Sequence, residues 1–467
     1  MSEPGEQSRG KLTRGSIRGH LVTQTVPMII GVAAIMSIGL VDAYFIGKLG
    51  SAELAAISFI FPISVALTSL GVGLMVGINS VIARALGAGN EEEAARRASV
   101  GVVFSIAVGI AIGLTLYMLL DPLFSLMQAE ADILPLIRTY MQPFALGFPL
   151  LMTIMGLNGV LRGQGEAKKT SIVSISYAAA NWVLDPILIT GAFGIEGLGI
   201  VGAAYATLAG WAVGIAMGYF LLARTALPFD LTYLREANVW HSVRSITKVA
   251  APASFSNAIN PIGLSVLTAL VAIEGSAAVA GFGAAGRLQS FAVVPLLALS
   301  GAIGGIVGQN WGAGQADRSR RAARYAGGFC IVYGLTIAVI LTTLSDMFAG
   351  LFSENPTVIE QFNAYLAIAA WGYAGYGLLI VGNGALNAVD KAGWALAQSV
   401  ARVFLVMLPA AWLLRGRWGA DAIYAGELFA NLAGGALAAG IVWFILRRGP
   451  KGEEAPANRD LSAEPAE

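Results

Sequence analysis

Apolar residues run along the chain in long stretches, the first from about Leu21 to Phe45 and eleven more centred near residues 67, 108, 149, 180, 211, 259, 292, 332, 374, 405 and 433. About 20 apolar residues cross a bilayer as one helix, so twelve crossings use about 240 residues. The rest of the 467-residue chain is left for loops and tails. Composition agrees: 56% of residues are hydrophobic and 12% charged, against about 25% charged in soluble domains. With a mean hydropathy of +0.71, the chain is predicted to be an all-α polytopic membrane protein rather than a string of soluble domains. The first apolar stretch is too long for a signal-peptide core and lacks a small-x-small cleavage site after it.

The same composition excludes several chemistries. Cys330 is the single cysteine, so there is no internal disulfide and no cysteine pair for a zinc or iron–sulfur site. His20 and His241 lie in polar flanks outside the apolar segments, which argues against a buried histidine relay or a histidine-based dyad. A net charge of +1 gives no support to nucleic-acid binding. No nucleophile–base constellation is visible, so an enzyme is not expected, and no cofactor is expected either.

Basic residues set the expected orientation. Arg9, Lys11, Arg14, Arg96, Arg97, Lys168, Lys169, Arg244, Lys248, Arg318, Arg320, Arg321, Arg447 and Arg448 fall on the tails and even-numbered loops. Lys48, Arg138, Arg415 and Arg417 fall on the opposite side. By the positive-inside rule both termini are expected in the cytoplasm.

An internal repeat runs at a fixed offset of 225 residues from about Pro27 to Ser174 in its first copy. Pro27 matches Pro252, Gly50-Ser51-Ala52 matches Gly275-Ser276-Ala277, and Gly87-Ala88-Gly89 matches Gly312-Ala313-Gly314. Arg96 matches Arg321, Asp121 matches Asp346, Tyr140 matches Tyr365, and Asn158-Gly159 matches Asn383-Gly384. Each copy holds six crossings, an even number, so the copies enter from the same side and are related by an axis along the membrane normal. The expected organisation is a cytoplasmic tail (1–20), a six-helix lobe (21–224), a linker (225–245), a second six-helix lobe (246–448) and a disordered tail (449–467). The two lobes are expected to flank a central cavity, and a short amphipathic piece is expected around Trp240.

Two stretches match GxGxxG, Gly197 to Gly202 and Gly281 to Gly286, but neither follows a strand or precedes an acidic residue at dinucleotide spacing. They are read as packing glycines, like the pairs Gly73/Gly77, Gly109/Gly113 and Gly210/Gly214. Function is sought in ionisable residues inside apolar segments, each of which costs about 2.5–3.5 kcal/mol at mid-helix. Asp42 interrupts the first segment and Asp185 the fifth. Asn181 lies one turn before Asp185 on the same face, and Pro186 should free the carbonyl of Trp182. A carboxylate, an amide and a free carbonyl suit Na⁺ or a held proton. At the repeat offset Asp42 corresponds to Leu267, Asn181 to Val406 and Asp185 to Ala410. The acids are therefore expected to work in the first lobe alone. Arg402 and Glu427 are expected to pair as a structural ion pair, Asp390 and Lys391 to be solvated, and Arg287 either to face the cavity or to cap a neighbour.

With Gly87-Ala88-Gly89-Asn90, Leu161-Arg162-Gly163-Gln164-Gly165 and Gln309-Asn310-Trp311-Gly312-Ala313-Gly314, the chain resembles the multidrug and toxic compound extrusion (MATE) family over nearly its whole length. Val41-Asp42 with Asn181 to Pro186 is similar to the DinF-like branch. That resemblance implies a cation site of Asp42, Asn181, Asp185 and Thr207, with Tyr140 and Asn158 in its hydrogen-bond network. Where the NorM-like branch carries second-lobe carboxylates, this chain has Asn260 and Tyr376. The implied activity is antiport of H⁺ or Na⁺ against amphipathic, cationic organic compounds by alternating access. The implied protein is a monomer spanning the bacterial inner membrane several times. A flippase for lipid-linked or polysaccharide precursors, which would need a more cationic cavity, and a major-facilitator-type transporter are the rival readings.

Overall fold

The computed structural model describes residues 10–127, 132–194, 196–236 and 239–450, and its long elements are all helices. The membrane-spanning helices are α1 (Ile17–Gly47), α2 (Ser51–Gly87), α3 (Glu91–Leu126), α4 (Leu134–Gly163), α5 (Ala167–Gly191), α6 (Ile200–Leu222) and α7 (Val239–Ala272). They continue with α8 (Ser276–Ala292 and Val294–Gly312), α9 (Ala316–Thr343), α10 (Pro356–Ala388), α11 (Ala392–Trp418) and α12 (Ala420–Arg448). The two parts of α8 meet at a 40° bend. Pro295 opens the second part, and a residue with no N–H to donate there accounts for the break. Helices α1–α6 form one lobe and α7–α12 the other, as the repeat predicts.

Backbone geometry follows the repeat as well as the residue types do. Gly89 and Gly314, which end α2 and α8, take φ of 75° and 73°. Gly165 takes 73°, and its partner at the repeat offset, Asp390, takes 61°. Aspartate is one of the few side chains that enters this left-handed region at modest cost, so the turn survives without its glycine.

Some boundaries differ from those the hydropathy suggests. α1 begins at Ile17 because Ser16 caps it, its Oγ accepting the Gly19 N–H at 3.3 Å. Ahead of it, Lys11–Thr13 form a single 3₁₀ turn with Leu12 buried. The described part of the amino-terminal tail is thus packed against the body. The linker is also anchored: Leu227 is buried and donates its N–H to Gln164 Oε1 at 3.2 Å. Trp240 is exposed in the first turn of α7 rather than in a separate amphipathic helix. The tail beyond Pro450 lies outside the described residues.

On the face that carries both termini, the lobes close on each other. A Cβ on Gly87 would stand 2.0 Å from the Gln309 carbonyl oxygen, and one on Gly312 would stand 2.2 Å from that of Arg84. Deeper in the same seam, Gly73 and Gly77 let α2 reach the backbone of α7 at Ser254 and Ala250. Of the other GxxxG pairs, Gly109/Gly113 admit α4 against α3, and Gly210/Gly214 admit α5 against α6. Of the GxGxxG glycines, Gly202 and Gly281 do pack this closely, whereas Gly283 and Gly286 meet open space.

Hydrogen bonds lock this closure. Gln309 Nε2 donates to the Gly163 carbonyl at 2.9 Å, and its Oε1 accepts the Leu12 N–H at 3.0 Å. Asn310 Nδ2 donates to the Leu12 carbonyl at 3.1 Å. Ser80 donates to the Asn387 carbonyl at 2.6 Å, and Lys11 pairs with Glu166 at 2.7 Å. Asp390 is not solvated: it meets Lys248 at 2.5 Å and Arg84 at 3.8 Å. The amino-terminal turn therefore wedges between the two lobes. Gly312→Leu should force them apart here, because the new side chain must displace backbone rather than a flexible side chain. Spin labels at the exposed positions Glu92 and Asp317 should report a longer distance than in the unsubstituted chain. An unchanged distance would show that this seam does not hold the lobes together.

Candidate cation site and central cavity

Asp42 sits in the second half of α1, Asp185 ends the regular part of α5, Thr207 lies on α6 and Tyr140 on α4. The lobe brings these residues to one place. The Asp42 and Asp185 carboxyls stand side by side, and Tyr140 presents its hydroxyl beside Thr207 and both acids. Asn181 Nδ2 donates to Thr207 Oγ1 at 3.5 Å. Immediately after Asp185, α5 widens into π-helical turns over Pro186–Gly191. The missing N–H of Pro186 is the local cause, and such widened turns recur at functional sites.

The electrostatics of the cluster are unusual. Asp185 is fully buried, and neither of its carboxyl oxygens has a hydrogen-bond partner among the described residues. Asp42 Oδ1 and Asn181 Oδ1 are likewise buried and unpartnered. Four buried acceptor oxygens on these three residues therefore lack a hydrogen-bond partner. Buried polar atoms left in this state cost about 1–3 kcal/mol each, more when charged. Oxygen atoms alone are the ligands that hard cations take. Among the described residues no group of three or more His, Cys, Asp or Glu comes together to hold a metal, so any cation here rests on two acids and neutral oxygens.

Asn158 does not join this cluster. It lies on α4 with Tyr140 but eighteen residues further on, about 27 Å along a helix rising 1.5 Å per residue. It is buried near the closed face, its Oδ1 unpartnered.

The second lobe replaces the acid at the Asp42 position with Leu267, buried in an apolar cluster, as the repeat implies. It is nevertheless not without a buried acid. The Tyr365 hydroxyl, the repeat partner of Tyr140, lies 3.0 Å from Glu427 Oε2 and 2.8 Å from Gln289 Oε1. Gln289 Nε2 donates to Glu427 Oε1 at 2.9 Å. Glu427 lies on α12, the counterpart of α6, and its position at the repeat offset is Gly202. A comparison at equal offsets cannot find such an acid; its signal was the charge in an apolar run.

Arg402 and Glu427 do not form the expected ion pair. Arg402 donates from Nη1 to Asn431 Oδ1 at 2.5 Å and from Nη2 to Asn260 Oδ1. Asn260 Nδ2 in turn donates to the Tyr376 hydroxyl at 2.9 Å. Both charges instead line a cavity of about 510 Å³ between the lobes, with Asn260, Gln289 and Tyr376 beside them and Phe61 and Pro62 of α2 opposite. The cavity lies toward the face away from the termini. Arg287, exposed and without an ion-pair partner among the described residues, is not part of its lining.

Comparison with known proteins agrees with this architecture. The MatE family model matches twice, over residues 27–187 and 252–413, once per lobe. A protein of Shewanella oneidensis named "FAD transporter" is 33% identical over 87% of this chain and 90% of its own length. The multidrug export protein MepA of Staphylococcus saprophyticus is 24% identical over 93% and 95% of the two chains. A crystal structure of a mutant of the Vibrio cholerae MATE transporter VcmN superposes with a TM-score of 0.88 at 29% identity, covering 92% of this chain and 97% of that one. Two lobes that each match the same family model, joined in the same fold, make this multi-pass membrane protein a member of the multidrug and toxic compound extrusion family.

Proposed function

We propose that the protein is a secondary active exporter that exchanges H⁺ or Na⁺ for amphipathic organic compounds by alternating access. The observation that carries this reading is the adjacency of the Asp42 and Asp185 carboxyls, whose buried oxygens have no hydrogen-bond partner. Two adjacent carboxylates in apolar surroundings repel each other and are poorly hydrated, so a proton shared between them or a bound Na⁺ relieves both penalties. Entry of the cation changes the charge balance of the first lobe, and its departure restores the strain. That is the two-state element an ion-driven transporter needs.

In this reading the termini face the cytoplasm, as the basic residues suggest. The closed seam at Gln309, Gly312 and Leu12 is then the inner gate, and the cavity belongs to an outward-facing state. Thr207 and Tyr140 complete the cation shell. The protein works as a monomer in a bacterial inner membrane. Cationic substrates would meet Glu427 at the cavity wall, and the names of the relatives span multidrug export and FAD transport. A flippase of the same fold would move a lipid-linked precursor with no cation gradient.

Proteoliposomes with Na⁺ and pH gradients imposed separately test the reading directly. One gradient should drive substrate movement, and Asp42→Asn and Asp185→Asn should each abolish it while the protein remains folded. Full coupled transport by both variants would sink the assigned site. Stability offers a second check. Asp42→Leu installs the residue type that the second copy carries and removes the repulsion between two buried carboxylates. In Na⁺-free alkaline buffer this variant should melt at or above the temperature of the unsubstituted chain. Na⁺ should raise the melting temperature of the latter more than that of the variant, which keeps only Asp185. A much lower melting temperature for Asp42→Leu would assign Asp42 a structural role instead.

A further inference from the structure

We propose that the Arg402 guanidinium is an anion-binding subsite in the second-lobe wall of the cavity, taking the carboxylate or phosphate of an amphipathic aromatic substrate whose ring lies along Tyr376. The inference deepens the export reading above by naming a substrate class for the same cavity. It differs from the cationic class that the sequence suggests.

The argument starts from donor accounting. A guanidinium carries five N–H donors. Two are engaged, and both go to neutral amide oxygens of Asn431 and Asn260. Arg402 Nε is buried with no partner, although the residue is only 5% exposed. The nearby acid Glu427 is in hydrogen-bond contact with Gln289 and Tyr365 and makes no ion pair with Arg402 among the described residues. A guanidinium nine-tenths buried, with Glu427 as its neighbouring opposite charge but no carboxylate in direct contact, thus lines a cavity large enough for a drug-sized molecule.

Local structure supports a built site. Arg402 stands in a π-helical stretch of α11, Ala401–Met407. This helix is the repeat counterpart of α5, which widens beside Asp185. The asparagines fix the guanidinium in place, so its remaining donors are oriented before any ligand arrives, and that reduces the entropy lost on binding. Arg402 also lies 5.2 Å from the centre of the Tyr376 ring, which gives an aromatic ligand a flat partner next to the charge. Phe61, Pro62 and Val65 of α2 form an apolar wall from the other lobe.

Riboflavin and its 5′-phosphate share one ring system and differ by a phosphate, so their ratio of dissociation constants isolates the anionic contact. Fluorescence titration of the purified full chain in detergent, with no gradient present, should give about tenfold or greater preference for the phosphate, the size of a charge-assisted hydrogen bond to a buried donor. Arg402→Gln should reduce the ratio to near one while leaving the affinity for riboflavin unchanged. Arg402→Lys, which keeps the charge but not the planar fork, should keep part of the preference and guards against misfolding of the Gln variant. Asp42→Asn should leave the ratio intact, so loss of coupling and loss of the anion subsite are separable results. Equal affinity for the two flavins, no binding of the phosphate, or a preference that persists in Arg402→Gln would each overturn the proposal.

Discussion

The constraint on which the structure depends is the cost of leaving polar atoms unpaired where water is scarce. In most of the protein that cost is avoided. Backbone groups are paired within helices, and serine and threonine hydroxyls turn back onto carbonyls of the preceding turn, as Ser105 does to Gly101 and Thr153 to Pro149. The exceptions are spread over both lobes and include donors such as Arg162 Nε and Gln164 Nε2 in the first and acceptors such as Asn387 Oδ1 and Gln398 Oε1 in the second. Asp42, Asn181 and Asp185 leave acceptors unmatched in the first lobe, and Arg402 leaves a donor unmatched in the second. What sets the first-lobe group apart is that two carboxyls stand side by side there.

Duplication makes this division of labour intelligible. Both copies keep the turn geometry, the paired tyrosines Tyr140 and Tyr365, and the widened α5 and α11. What differs is where each lobe puts its charge. The first copy uses α1 and α5 for two acids that face each other. The second fills the α1-equivalent position with Leu267 and places Glu427 on the helix equivalent to α6, with amide and phenol donors at both oxygens.

The alternating-access reading proposed above requires that the lobes be held strongly on one face at a time. On the termini-bearing face the contact is backbone against backbone at Gly87 and Gly312, sealed by Gln309, Asn310 and the Leu12 turn. Such contacts are short-range and geometrically exacting, so a small rotation of one lobe breaks many of them together. The family motifs at these positions therefore describe a seam between lobes rather than a binding site.

Much of the architecture was legible in the sequence because hydropathy and repeat spacing are local properties. The twelve spans, the two lobes and the buried first-lobe acids follow from apolar runs and rare charges within them. Asn158 shows the limit: a buried amide in an apolar helix looks the same whether it is next to Tyr140 or about 27 Å away along that helix. Arg402 and Glu427 show another, since both were visible as buried charges but only the fold reveals that neutral partners hold them apart. Gln289, Asn431 and the Leu12 wedge carried no signal, because uncharged polar residues and short tails are common. One-dimensional pattern determines which segments enter the membrane, whereas the pairing of particular atoms depends on helix rotation and lobe packing, which sequence spacing does not encode.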